Sequence, residues 1–210
     1  MQNSEGGEAA LTPEESWGTI HTTMDRARSS MYLAGTSSIL LLWAALTAVM
    51  YLMEYWLQTG GSDLAEQSPW VRAPLYSVLL VGGIIGSGII GNRAGNRNVS
   101  KDVARAVGIR VFSFWITVTM AAWIIPAAAG MWNAEGGPQI PHVAIGIVTL
   151  GYILYGVMTH PALAGIGVGI AAAYYVPHYL AGEAAPVVSA VATLAVVGGG
   201  AMWLRRIGIR

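Results

Sequence analysis

The sequence predicts an all-α fold: a polytopic membrane helical bundle of six transmembrane helices, preceded by an N-terminal cytoplasmic amphipathic helix. Three observations carry that expectation. The 210-residue chain is 54% hydrophobic and only 10% charged, with mean hydropathy +0.54, whereas soluble domains carry roughly 25% charged residues. Six apolar segments each approach the roughly 20 residues that a helix needs to cross a bilayer. Basic residues gather on alternate connectors, as the positive-inside rule requires of a multi-span protein.

The elements follow in order. Residues 1–11 read as a flexible Gly/Glu-rich tail, and residues 12–31 as the cytoplasmic amphipathic helix. That helix opens on Thr12, Pro13, Glu14 and Glu15, an N-cap, a first-turn proline and a capping-box glutamate. Trp17, Ile20, Met24 and Ala27 recur at three- and four-residue spacing, a narrow stripe suited to another helix. A surface-lying helix carries more Lys and Arg than the pair Arg26 and Arg28, so the stripe points to the bundle or a partner rather than to lipid.

Residues 32–204 form the expected six-helix transmembrane domain, with spans near 32–57, 74–92, 109–132, 142–158, 162–180 and 185–204. Thr159, His160 and Pro161 alone divide the fourth from the fifth, leaving open a tight hairpin of two spans or a broken pair. Residues 205–210 make a basic cytoplasmic tail.

Charge placement sets the orientation. Arg26 and Arg28 precede span one, Arg93, Arg97, Lys101, Arg105 and Arg110 join spans two and three, and Arg205, Arg206 and Arg210 end the chain, ten of the eleven basic residues. The other connectors hold Asp63, Glu66, Glu135 and Glu183 against Arg72. Both termini are therefore expected in the cytoplasm of a bacterial cytoplasmic (inner) membrane. An even span count agrees with this, which favours two separate spans around His160. The first 30 residues lack the short apolar core of a cleavable signal peptide. Cysteine is absent, so thiolate metal sites, disulfides and thiol nucleophiles are excluded.

Small residues mark expected helix contacts. Gly82 and Gly86, then Ser87 and Gly91, stand four apart in span two, and Gly165 and Gly169 repeat the device in span five. In lipid such faces let backbones approach and gain dispersion contacts, within one chain or in a homo-oligomer. The repeated Gly-Asn-Arg triplets at 91–93 and 95–97 build a basic ridge with Arg93, Arg97, Lys101 and Arg105. Anionic headgroups of the lipid bilayer fit that ridge, as does an acidic membrane or cytoplasmic protein partner; the positives are too few for nucleic acid. Pro126 and Pro177 each remove a backbone donor inside a span.

His142, His178 and Glu54 fall at the outer ends of three spans, and a His, His, carboxylate set suits zinc or another transition ion. The competing reading is an interfacial belt, because Tyr51, Tyr55, Trp56, Trp70, Trp132, Tyr174, Tyr175 and Tyr179 cluster at the same depth. No cofactor is expected. Neither HExxH nor paired intramembrane aspartates occur, and Lys101 is the single lysine, outside the bundle. Ser87 and His178 lie at different depths, so they make no nucleophile and base pair. Together these features imply a protein that is not an enzyme.

Residues 14–35, EESWGTIHTTMDRARSSMYLAG, the LLW that follows, and GNRAGNR at the close of span two resemble small uncharacterised bacterial polytopic membrane proteins with an N-terminal amphipathic helix. The likeness spans about the first half of the chain and brings no activity or functional residue with it. Three functional classes remain: a non-enzymatic binding or accessory protein acting through helix packing and its cytoplasmic helix, a small channel or transporter for an ion or small molecule, and an outer-face metal or small-ligand binder.

Overall fold

In a computed structural model, residues 12–20, 33, 35–59, 69–95, 101–133 and 135–206 are described. The 1–11 tail, Met24, Ala27 and Arg97 lie outside them. Among the described residues the chain is helical without strands: α1 (13–20), α2 (Thr36–Thr59), α3 (Pro69–Gly95), α4 (Lys101–Ala128), α5 (Ile140–Met158), α6 (Pro161–Leu180) and α7 (Gly182–Arg206). Six of these, α2 to α7, are long and apolar enough to cross a membrane.

The first turn of α1 closes as the sequence predicts. The Thr12 amide and hydroxyl donate to Glu15 Oε2 at 2.8 and 3.0 Å, and the Glu15 amide donates back to Thr12 Oγ1 at 3.3 Å, a reciprocal capping box.

The third span stops at Ala128 rather than near 132 for a backbone reason. Gly130 takes φ +70°, its amide donates to Ala127 O, and the Met131 amide donates to Pro126 O. This pair of reversed bonds satisfies the last carbonyls and ends the helix.

Spans four and five are two helices. His160 is extended (φ −152°, ψ 126°), and its Nδ1 accepts from the Ala162 amide at 3.2 Å, so a histidine caps α6 just before Pro161 at the first helical position. The two helices then run antiparallel: Gly156 lies against Leu163 and Ala164, and Gly167 against Tyr152 and Ile153.

The other neighbours are antiparallel too. Gly35 meets Ile90 and Ala94 while Glu54 meets Tyr76 across α2 and α3; Val118 meets Gly151 across α4 and α5; Gly169 meets Val196 and Gly200 meets Ile166 across α6 and α7. Arg205 donates to Ser37 Oγ at 3.3 Å and to Ser38 Oγ at 3.2 Å, tying the end of α7 to the start of α2.

The core lies among α2, α5, α6 and α7: Leu40, Ala44, Tyr155, Leu163, Ile166, Ile170, Val197, Ala201 and Leu204 are buried, with Phe114 and Trp115 of α4 packed on them. Apolar side chains also face outward, Val78 at 71% and Val157 at 75% exposure. Exposed apolar faces at this density are what a lipid solvent covers.

Only part of the expected small-residue face packs within the chain. Gly86 lies under Leu42, Ser87 accepts from Trp43, and Gly169 lies under Val196, but Gly82, Gly91 and Gly165 meet no other atom within 4 Å. Gly83, under Trp43 and Leu46, supplies the missing contact. At about 100° per residue, Gly82 and Gly91 lie about 100° and 80° round the helix from Gly83. Four-residue spacing finds a face, but it does not say which face a neighbour takes.

α7 departs from α-helical geometry midway, where Leu194–Gly198 form a π-helical turn between the α-helical Ala185–Thr193 and Gly199–Arg206. The sequence gives a sign of this only in the run Gly198–Gly200.

Candidate functional site at the aromatic end of the bundle

The antiparallel pairing sorts the described charges by end. Arg93, Arg105, Arg205 and Arg206 gather at one end with His160 and Asp102; Glu54, Glu135 and Glu183 gather at the other with Arg72. Arg93 and Arg105 are exposed.

The acidic end also carries the rings of the expected belt, and the structure divides them. Tyr179 (85% exposed), Trp56 and Trp132 face outward and suit a membrane interface. Tyr174 does not: it is 2% exposed. Its ring stacks on Tyr51 at 5.8 Å and 21°, lies 4.2 Å from His178 and 5.4 Å from His142 between centroids, and so sits at the hub of α2, α5 and α6.

His142 and His178 do come together, with ring centroids 5.0 Å apart. Hydrogen bonds hold the His142 backbone and the His178 ring, while His142 Nδ1 is buried without a hydrogen bond of good geometry. Tyr175 Oη donates to the His142 carbonyl at 2.6 Å, and His178 Nδ1 lies 2.8 Å from the Tyr174 carbonyl. A carbonyl only accepts, so Nδ1 carries the proton and Nε2 of a neutral His178 is an acceptor. Pro177, buried one residue before, cannot donate to Ala173 O.

Glu54 is half-buried on α2, one turn beyond Tyr51, and its Oε2 accepts from Tyr76 Oη at 2.7 Å. It does not complete a metal site: among the described residues no three His, Asp or Glu side chains gather closely enough to hold an ion. The three expected ligands come from three helices, and the turn of α2 aims the carboxylate toward α3 rather than into the histidine pair.

Sequence reasoning missed the hydroxyls beneath this cluster. Ser189 (0% exposed) and Thr193 (2%) lie one turn apart on α7, and Thr149 (5%) lies on α5. Their oxygens and that of Tyr51 are buried and make no hydrogen bond of good geometry, the Tyr51 and Thr193 hydroxyls standing within reach of each other. Four such oxygens in one half of an apolar bundle are uncommon, because each forfeits hydrogen bonding worth about 1–3 kcal/mol. The available signal is the four-residue spacing of Ser189 and Thr193 in an otherwise Ala/Val span.

The remaining expected positions lie elsewhere. Ser87 accepts from Trp43 Nε1, deeper in the bundle than His178. Trp17 and Ile20 on α1 are 64% and 49% exposed. An apolar groove of about 490 Å³ runs between α6 and α7 beside His160, Gly165, Val196 and Trp203, at the basic end.

Comparison with known protein families, with curated proteins and with solved structures finds no match to this chain.

Proposed function

We propose that this is a non-enzymatic integral membrane protein that binds a small hydrogen-bonding molecule inside the acidic, aromatic end of its bundle. One observation carries the reading: the Tyr51 ring, stacked on Tyr174 beside His178, brings its buried hydroxyl next to that of Thr193, and Ser189 one turn away on α7 is buried without a hydrogen-bond partner. Buried oxygens without partners mark the place where water or a ligand completes the bonding. A site of few polar groups set among aromatic walls is the usual form of a small-molecule pocket.

In the same reading the arginine-bearing end faces the cytoplasm of a bacterial inner membrane, and both termini lie on that side. Exposed Trp17 and Ile20 offer a second contact, to a protein partner, and the open side of α3 at Gly82 and Gly91 suits another copy of the chain.

The test uses the full chain in nanodiscs and ligand-observed NMR with two small probes, acetamide and methylammonium. At least one probe shows saturation transfer with the native protein and loses it in the Tyr51→Phe, Thr193→Val double variant. Silence from both probes, or transfer that the double variant retains, rejects the site.

A small channel or transporter is the alternative, favoured by the π-helical turn that starts directly after Thr193, since such turns concentrate at functional sites. It differs in one outcome: probe flux across proteoliposomes, which binding alone does not produce.

A further inference from the structure

We infer that the ligand class at this end is a small protonated amine; the inference rests on the binding site proposed above and narrows it. Three features select the charge and the donors. The first is the sign of the field. Among the described residues, Glu54, Glu135 and Glu183 against Arg72 stand at this end, and Arg93, Arg105, Arg110, Arg205 and Arg206 against Asp102 at the far one, which leaves this end net negative. A cation gains from that separation and an anion is repelled by it, the more so where lipid excludes water.

The second feature is the π surface. The Tyr51 and Tyr174 rings stack at 5.8 Å, with His178 at 4.2 Å and Tyr175 at 5.1 Å from Tyr174 between centroids. Ring faces attract ammonium groups within about 6 Å, more strongly when desolvated.

The third is the supply of acceptors. Ser189 is a buried hydroxyl without a partner, and the buried Thr193 hydroxyl neighbours that of Tyr51. Each hydroxyl oxygen can accept an N–H. A primary ammonium brings three donors to meet them. A quaternary ammonium has none and leaves the hydroxyls unbonded. A carboxylate could accept from the hydroxyls but carries the wrong charge. A bare metal ion lacks a third protein ligand among the described residues.

Glu54 supplies the charge term. Its carboxylate is half-buried, already takes one hydrogen bond from Tyr76, and lies within electrostatic range of Tyr174.

The experiment measures Kd for methylammonium and for acetamide, a neutral molecule of similar size, with the full chain in nanodiscs. Methylammonium binds at least tenfold tighter than acetamide. Glu54→Gln abolishes that preference, because a hydrogen bond to a charged group is worth more than one to a neutral group. Glu14→Gln, exposed on α1, keeps it. Thr193→Val weakens methylammonium binding, and this second variant serves if Glu54→Gln does not fold. Equal or tighter binding of acetamide, or a preference unchanged by Glu54→Gln, overturns the amine assignment while leaving the hydrogen-bonding site intact. Absence of binding by both probes removes both readings.

Discussion

The Trp43 indole donates its Nε1–H to Ser87 Oγ across 2.9 Å, between the middles of α2 and α3. In a water-free bundle this bond fixes the register of two helices that otherwise touch through smooth surfaces, Gly83 and Gly86 under Trp43, Leu46 and Leu42. Each glycine lacks a Cβ that those side chains would strike, so the bulky residues of α2 lie flat on α3 and the indole reaches the serine.

The first prediction concerns that bond. Interhelical hydrogen bonds in membranes contribute about 0.6 kcal/mol on average and about 1.7 kcal/mol at most. A double-mutant cycle of Trp43→Phe and Ser87→Ala, followed by unfolding in mixed micelles, therefore shows a coupling of roughly 0.5–1.7 kcal/mol. Full additivity of the two single changes dissociates the bond from stability and removes its role in register.

Glycine substitutions separate the close helix crossings from the open faces. A Cβ added at Gly156 collides with the backbone of Leu163 and Ala164, which cannot move as a side-chain tip can. At Gly165, on the adjoining helix, an added Cβ meets nothing within 4 Å. Gly156→Ala consequently lowers stability by about 1–3 kcal/mol through overpacking, and Gly165→Ala leaves it within about 0.5 kcal/mol. Thermal or denaturant unfolding of the purified variants reads the difference; equal losses contradict the α5–α6 crossing.

Much of this fold is legible in the sequence because the bilayer reduces the choice to length and polarity. Apolar stretches near 20 residues can satisfy their backbone only as helices, and all six emerge within a few residues of their expected bounds. The capping box of Thr12 and Glu15 is readable for the same local reason. Facing direction is not. Gly82 and Gly86 share a spacing, yet only Gly86 meets α2, because which side of a helix finds a neighbour depends on all the others.

The candidate site divides along the same line. His142 and His178 are recognisable as residues at one depth, and their ring contact follows from the α5–α6 hairpin. Tyr51, Ser189 and Thr193 are ordinary residues of apolar spans until α2 and α7 are packed together. Pairwise burial carries their meaning, and the four-residue spacing of Ser189 and Thr193 is the one local trace of it.

The last prediction lies outside the membrane, at the start of α1. The Thr12 amide, and after it the Thr12 hydroxyl, hold the Glu15 carboxyl below its usual range by bonding to the charged form. A carboxyl depressed in the folded helix stabilises that helix above its ordinary pKa, and the contribution disappears as pH falls through the lowered value. The cap is thus fully formed near neutral pH and is lost only in acid. A carboxyl-carbon NMR titration of the full chain in nanodiscs finds the Glu15 midpoint below the ordinary carboxylate range, and Thr12→Ala moves it up toward that range. An ordinary Glu15 midpoint in the native protein, or no movement in the variant, shows that the capping box does not form in the lipid-bound chain.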